Sequence, residues 1–259
     1  ELAMEAVSDC PTYMELIPGT GITVPHENCE EKVERFMEIL DEAIYDTRDM
    51  LLERYHWICS QSPDSARFMY ENGTMLGYHP EEGIESALKH GTLVIGQLGL
   101  AETLQILIGK DHTTDEGMEL AKEIEGMFKS RCAKFKEVYK LNIGVYMTPA
   151  ENLCYKAMQV FRKRFGVIPN VSDRDYFTNS IHVPVWHKMS PFEKIDIESQ
   201  LTGYSNAGCI TYVELDSGVR HNLKALEEIV RYGMDKDIPY LAINVPSDCC
   251  DECGYCGEE

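Results

Sequence analysis

From residue 31 the apolar positions Val33, Phe36, Met37, Leu40, Ala43 and Ile44 recur every three or four residues. This period predicts an amphipathic helix running to about Cys59 with one face on a core. The stretch before it, through Asn28, carries Pro11, Pro18, Gly19, Gly21 and Pro25, which break any regular period, and is expected to be surface loop. Asn72-Gly73 and His79-Pro80 mark turns, after which a helix over 81–89 is expected to lead into an apolar strand over 92–97. Residues 100–108 predict another helix, ended by Gly109, which can take a left-handed cap. A strongly charged helix over 115–139 has Met118, Leu120, Ala121, Ile124, Phe128 and Cys132 as its buried stripe. A strand over 142–147, a helix over 150–165, a strand over 210–215, a helix over 222–234 and a strand over 240–245 follow. This alternation predicts an α/β protein of mostly parallel strands covered by helices, which a barrel and an open doubly wound sheet satisfy equally.

Composition narrows the class. With 259 residues and 44% hydrophobic content the chain can bury a full core, and no repeat, low-complexity tract or linker divides it, so one large domain is expected. The sequence begins with Glu1, shows no leader before Ala3 and no apolar run long enough to cross a bilayer, which predicts a cytoplasmic protein with no membrane partner. Cys10, Cys29, Cys59, Cys132, Cys154 and Cys209 are scattered singly, as suits free thiols in a reducing compartment. A net charge of −20 argues against a nucleic-acid polymer as partner, because such binding draws on Lys and Arg neutralising phosphates. Small anions remain accessible to it, since a few backbone N–H groups at a helix start hold phosphate whatever the global charge.

Three places concentrate chemistry. In Val145-Tyr-Met-Thr-Pro-Ala-Glu-Asn152 a strand runs into a helix, with Thr148 as expected N-cap and Pro149 at the first helical position. The amides of Ala150, Glu151 and Asn152 then point outward at the strand's C-terminal end, where an anion gains hydrogen bonds and the helix dipole together. An ordinary capped helix start explains the same residues. The segment from Gly166 to Pro184 interleaves polar and aromatic residues without a period, and Asn179, Ser180 and His182 could line a polar pocket there. A histidine in a loop serves as often as a structural hydrogen-bonding group.

The third place is Asp248-Cys-Cys-Asp-Glu-Cys-Gly-Tyr-Cys-Gly257, which holds four of the ten cysteines. Cys250-Asp-Glu-Cys253-Gly254 has the spacing of one arm of a tetrahedral Zn²⁺ site, and Cys253-Gly-Tyr-Cys256 repeats the spacing. A redox dithiol competes with that reading, although Gly254 and Gly257 argue for a loop rather than a helix start.

These segments, taken in order, resemble a known family. Gly91-Thr-Leu-Val-Ile-Gly-Gln-Leu-Gly-Leu-Ala-Glu102, Met147-Thr-Pro-Ala-Glu151, Arg164-Phe-Gly-Val-Ile-Pro169, the run from Asp173 to Val185, the run from Asn206 to Leu215 and the terminal Asp-x-Cys-x-x-Cys-Gly-Tyr are similar to the anaerobic, class III glycyl-radical ribonucleoside-triphosphate reductases. The first thirty or so residues match only loosely. The resemblance implies part of a ten-stranded α/β barrel over 1–245, followed over 246–259 by the first arm of a zinc module, a partial knuckle. It implies reduction of ribonucleoside triphosphates to deoxyribonucleotides, with formate or a thiol system as reductant. The implied partners are a radical-SAM activase with an iron–sulfur cluster, nucleotide effectors bound through an N-terminal domain, and a second copy in a homo-oligomer.

Carried over by position, the resemblance assigns Thr148, Pro149, Ala150, Glu151 and Asn152 to the substrate's phosphates and Cys250 and Cys253 to zinc. Cys249 and Cys256 become extra cysteines, and Cys209 stands where many relatives carry histidine, a change without a functional account. The finger-loop cysteine is expected before Glu1 and the glycyl-radical loop after Glu259. With neither in the sequence, no catalytic residue is assigned and the chain by itself is expected to lack reductase activity. Two other classes compete, a glycyl-radical lyase acting on a small carboxylate and a non-catalytic zinc-binding assembly module.

Overall fold

The structure, a computed structural model, describes residues 1–8, 14–16, 23–25, 30–147, 149–245, 248–249 and 251–257, with the backbone alone for 8, 14–16, 23–25, 151, 217, 220, 248, 249 and 256. The chain forms two compact units, Glu1–Gly96 with Glu123–Tyr146, and Gln97–Lys122 with Met147–Glu259.

The first unit opens with structure where the sequence predicts loop. Helix α1 (Leu2–Ser8) buries Ala3, Met4, Ala6 and Val7, and strands β1 (Met14–Leu16) and β2 (Thr23–Pro25) pair antiparallel. The prolines and glycines lie outside α1, so they limit its length without forbidding it. Helix α2 (Glu30–Cys59) follows, with Phe36, Ile39, Leu40 and Ile44 buried at the predicted period. After a 3₁₀ turn (Pro63–Ala66) come α3 (Arg67–Glu71) and α4 (Glu85–Leu88). The helix expected over 81–89 shrinks to four residues because Gly83 takes φ +73°, outside the helical region.

Strand β3 (Thr92–Ile95) leads to α5 (Leu100–Ile108), which ends at Gly109 in the left-handed conformation as predicted. Helix α6 (Asp115–Tyr139) then leads to β4 (Asn142–Val145), which lies parallel to β3 with Thr92 opposite Asn142. In the first unit α6 is clamped to α2 by a forked ion pair, Arg131 Nε to Asp41 Oδ1 at 2.6 Å and Nη2 to Oδ2 at 2.9 Å. Beside it Tyr45 meets Phe135 edge-on at 5.1 Å. The guanidinium at Asp41 holds that carboxyl below its ordinary range.

In the second unit α7 (Glu151–Phe165) is followed by an irregular stretch to α8 (Pro191–Thr202), a helix the apolar period does not reveal. Its start is nevertheless written in Ser190-Pro-Phe-Glu193. Ser190 Oγ accepts from Glu193 N–H at 3.3 Å, and Glu193 Oε2 accepts from Ser190 N–H at 2.7 Å, a reciprocal cap with proline at the first helical position. Strand β5 (Thr211–Glu214), a 3₁₀ turn (Ser217–His221), α9 (Leu223–Asp235) and β6 (Leu241–Asn244) complete a strand–helix–strand unit, with β5 and β6 parallel. A short antiparallel hairpin, β7 (Asp248–Cys249) with β8 (Cys256–Gly257), closes the described chain.

Both strand pairs with intervening helices are parallel, the α/β arrangement expected from the alternation of elements. Val213 packs with Ile195 of α8 and with Ile229 and Ile238 of the β5–β6 connection, and Leu215, Tyr232, Leu241 and Ile243 surround them. Side chains alternate along a strand, so Tyr212 and Glu214 face away from this helical layer. No described helix is long and apolar enough to cross a membrane. Ile195 is fully buried, and Ile195→Ala is expected to lower stability by about 2–5 kcal/mol, read as a fall in the urea unfolding midpoint.

Candidate functional site

The start of α7 differs from the expected cap. Thr148 lies outside the described residues, and the N-cap is Ala150, which makes no side-chain cap. Pro149 therefore stands before the cap, not at the first helical position. Ala150 adopts φ 43° and ψ 36°, a left-handed conformation costly for a residue with a Cβ, and its carbonyl accepts from Leu153 and Cys154 N–H at 2.9 and 3.0 Å. Helix geometry leaves the first amides, those of Glu151 and Asn152 among them, without intrahelical acceptors. The Asn152 side chain is exposed.

The segment from Gly166 to Ser190 has no helix or paired strand, yet Ile168, Val171, Ser172, Thr178 and all of 180–184 are buried. Its polar groups are met by side chains from other elements. Arg162 of α7 donates to the carbonyls of Ser172, at 2.7 Å, and Arg174. Glu102, on α5, accepts from Thr178 N–H at 2.9 Å and Thr178 Oγ at 2.7 Å with one oxygen. Gly99 N–H donates to Thr178 O at 2.9 Å, Leu98 bridges Asn179, and Ser180 Oγ donates to Gln97 O at 3.2 Å. Two motifs nearly eighty residues apart, Gln97 to Glu102 and Thr178 to Ser180, are thus one structure.

Of the predicted pocket residues, Asn179 and His182 line a cavity of about 120 Å³, whereas Ser180 is fully buried with its hydroxyl on Gln97 O and a left-handed φ of 38°. Tyr176, Phe177, Trp186 and Tyr212 form aromatic walls, and Lys194 and Glu214 add opposite charges. Asn179 Oδ1 accepts from the Cys154 thiol at 2.9 Å, which sets the cavity beside the first turn of α7. The sequence reading missed Lys194 and Glu214, the one on the unpredicted α8 and the other at the end of β5. It also missed Glu198, whose place with Ile195, Leu201 and Thr202 on the buried face of α8 is the signal that could have found it.

Two buried carboxylates here have opposite fates. Burial pushes Glu102 up, and its bonds to Thr178 do not offset that. Burial would also raise Glu198, but contacts with His182 and Lys194 and the Val183 N–H outweigh it and hold the carboxyl below its ordinary range. A depressed carboxylate contributes stability above its unfolded value of 4.5 that is lost as pH falls through the folded value. Glu198→Gln is therefore expected to flatten the decline in stability below about pH 4.5 relative to the parent chain, measured by urea titrations across that range.

The cysteine cluster forms the β7–β8 hairpin, with Cys249 opposite Cys256, Gly254 at φ +70° and an exposed Cys253. Cys250 lies outside the described residues. A glycine turn between Cys-x-x-Cys positions suits a metal-binding arm, but among the described residues no group of three or more His, Cys, Asp or Glu side chains could enclose a metal ion.

Comparison with known proteins identifies the family. Residues 20–259 match the family model described as anaerobic ribonucleoside-triphosphate reductase. The chain is 33% identical over 228 residues to the anaerobic ribonucleoside-triphosphate reductase of Escherichia coli, covering 86% of this chain and 32% of that protein. The Haemophilus influenzae enzyme of the same name is 30% identical over 248 residues, covering 92% of this chain and 34% of that protein. The anaerobic ribonucleotide reductase of Thermotoga maritima, solved with dATP in its specificity site, superposes with a TM-score of 0.67 at 18% identity, over 100% of this chain and 37% of that one, a likeness of fold alone. The chain thus spans about a third of the length of these relatives. Across that third, sequence and fold agree, and the chain belongs to the anaerobic ribonucleoside-triphosphate reductase family.

Proposed function

We propose that this chain is the substrate-holding part of the barrel of an anaerobic ribonucleotide reductase, which converts ribonucleoside triphosphates to 2′-deoxyribonucleoside triphosphates by glycyl and thiyl radical chemistry. The observation that carries the reading is the family match over residues 20–259, which includes the segments around the cavity. In this reading β3 to β6 belong to a ten-stranded barrel over 1–245, and 246–259 is the first arm of a zinc module. The triphosphate lies at the start of α7, residues Thr148 to Asn152. The amides of Ala150, Glu151 and Asn152 supply hydrogen bonds, the helix dipole supplies attraction, and Pro149 contributes shape, having no N–H to donate.

The glycyl and thiyl radicals reside on residues outside these 259, so the chain alone binds nucleotide without turning it over. The proposed partners are the radical-SAM activase, nucleotide effectors and a second copy of the protein, in the cytoplasm. Zinc is held by Cys250 and Cys253 with two further ligands, and its chemistry is structural: it ties the C-terminal loop in place. The family match favours neither a carboxylate lyase nor a purely non-catalytic module.

The decisive experiment is anaerobic assay of the complete, activase-treated protein with CTP; dCTP formation is expected, and a radical-bearing protein that forms none overturns the reading. Within it, Ala150→Pro removes an amide and forbids a positive φ. It is expected to weaken CTP by roughly ten- to a hundredfold, the equivalent of one hydrogen bond to a charged group. Ala150→Gly keeps the amide and relieves the backbone, and is expected to bind CTP at least as well as the parent protein. Metal analysis of the complete protein is expected to find stoichiometric zinc, lost in Cys253→Ser.

A further inference from the structure

Behind one wall of the cavity lies a buried contact between a carboxylate and a histidine that the nucleotide reading does not use. Glu198 is 0% exposed, and its two oxygens are divided between two tasks. Oε1 accepts the Val183 N–H at 3.0 Å, while Oε2 lies 3.3 Å from Nδ1 of His182. His182 is 6% exposed and edge-on to Tyr212 at 5.7 Å. Neither ring nitrogen makes a hydrogen bond among the described residues, nor does Glu198 Oε2, so the approach of Nδ1 to Oε2 is a contact, and the ring borders the cavity. A buried ring nitrogen left without a partner beside an open cavity is a group awaiting a ligand.

The charges around the cavity say which part of a ligand it accepts. Lys194 Nζ lies 3.9 Å from Glu198 and 3.5 Å from Glu214, so its charge is spent on two carboxylates. The neighbouring His112 is fully buried, and burial pushes it down, towards the uncharged imidazole. Among the described residues lining the cavity, no surplus of positive charge is left for phosphates. The walls Tyr176, Phe177, Trp186 and Tyr212 instead suit a flat or apolar surface with a few polar edges. The carboxylate 3.3 Å from Nδ1 favours the ring proton on that nitrogen, which makes Nε2 the acceptor.

We propose that the cavity holds the nucleoside moiety of the substrate, that His182 Nε2 accepts a hydrogen bond from one of its hydroxyl or amino groups, and that Glu198 is the positioning residue that sets this tautomer. The inference rests on the nucleotide reading and adds the division of labour: α7 holds phosphates, and the His182 cavity reads the uncharged part. Glu198→Gln keeps size and can still accept from Val183, but its amide offers no carboxylate to Nδ1–H, so the ring loses its fixed tautomer. His182→Asn keeps a donor near Glu198 and removes Nε2.

The test uses the complete protein, selectively labelled with ¹⁵N-histidine, with CTP, cytidine and inorganic triphosphate as separate probes. The His182 signals, assigned by their loss in His182→Asn, are expected to show the Nδ1–H form in the parent protein, and CTP and cytidine are expected to shift Nε2. In Glu198→Gln the Nδ1–H form is expected to lose its predominance. Both variants are expected to weaken CTP about tenfold, the worth of one hydrogen bond in an enclosed site, and to leave inorganic triphosphate unchanged. Ala150→Pro is expected to weaken CTP and triphosphate together. Parent-like CTP affinity in His182→Asn, or a His182 signal indifferent to CTP and cytidine, overturns the inference while CTP binding sensitive to Ala150→Pro leaves the nucleotide reading standing. Absence of CTP binding by the parent protein overturns both. Should Glu198→Gln not fold, the His182→Asn affinities and the parent spectrum decide the matter.

Discussion

A buried segment without helix or sheet must find partners for its backbone elsewhere, and that requirement organises the second unit. Residues 166–190 pass through the interior with Ser180 to Pro184 buried in succession. An unmet buried N–H costs about 1–3 kcal/mol, so several in a row would be prohibitive. Two carboxylates meet the need: Glu102 takes the Thr178 N–H and hydroxyl, and Glu198 takes the Val183 N–H. Ser172 does the same locally, its hydroxyl accepting from Ile168 N–H at 2.8 Å and donating to Gly166 O at 3.0 Å.

Once those carboxylates are buried, their own charge has to be managed, and the two solutions differ in kind. Glu102 has hydrogen-bond donors but no ion-pair partner at hydrogen-bonding distance among the described residues, and burial raises it. Glu198 has His182 and Lys194, and is lowered. The second solution brings a histidine and a lysine to the edge of an aromatic cavity. Glu198, which takes the Val183 N–H, thus also contacts His182 and Lys194, two side chains of the cavity's polar rim, and this joins the fold to the proposed nucleotide site.

The regular elements were legible because they obey periods. Helices 100–108 and 115–139 appear at their predicted limits, and Gly109 caps the first of them, because apolar spacing and a glycine state both facts locally. The opening helix is hidden by the prolines that follow it without entering it. Helix α8 was lost because its buried face includes Glu198 and Thr202, polar residues that blur an apolar stripe, although Ser190 and Glu193 announced its start. Of the candidate site, Asn179 and His182 were legible as polar residues in a long aperiodic run. Ser180 shared that signal and turned out to be a buried bracing group, since spacing alone does not tell which way a loop side chain turns. Lys194, Tyr212 and Glu214 come together from α8 and β5, and only tertiary contact reveals them.

Native-state hydrogen exchange tests the central dependence most directly. If two buried carboxylates carry the segment, the amides of Thr178 and Val183 exchange as slowly as those of the β5–β6 pair. Glu102→Ala then releases Thr178, and Glu198→Ala releases Val183, each by local opening that leaves protection in β5 and β6 intact. Rapid exchange of both amides in the parent chain, or unchanged protection after either substitution, contradicts the account.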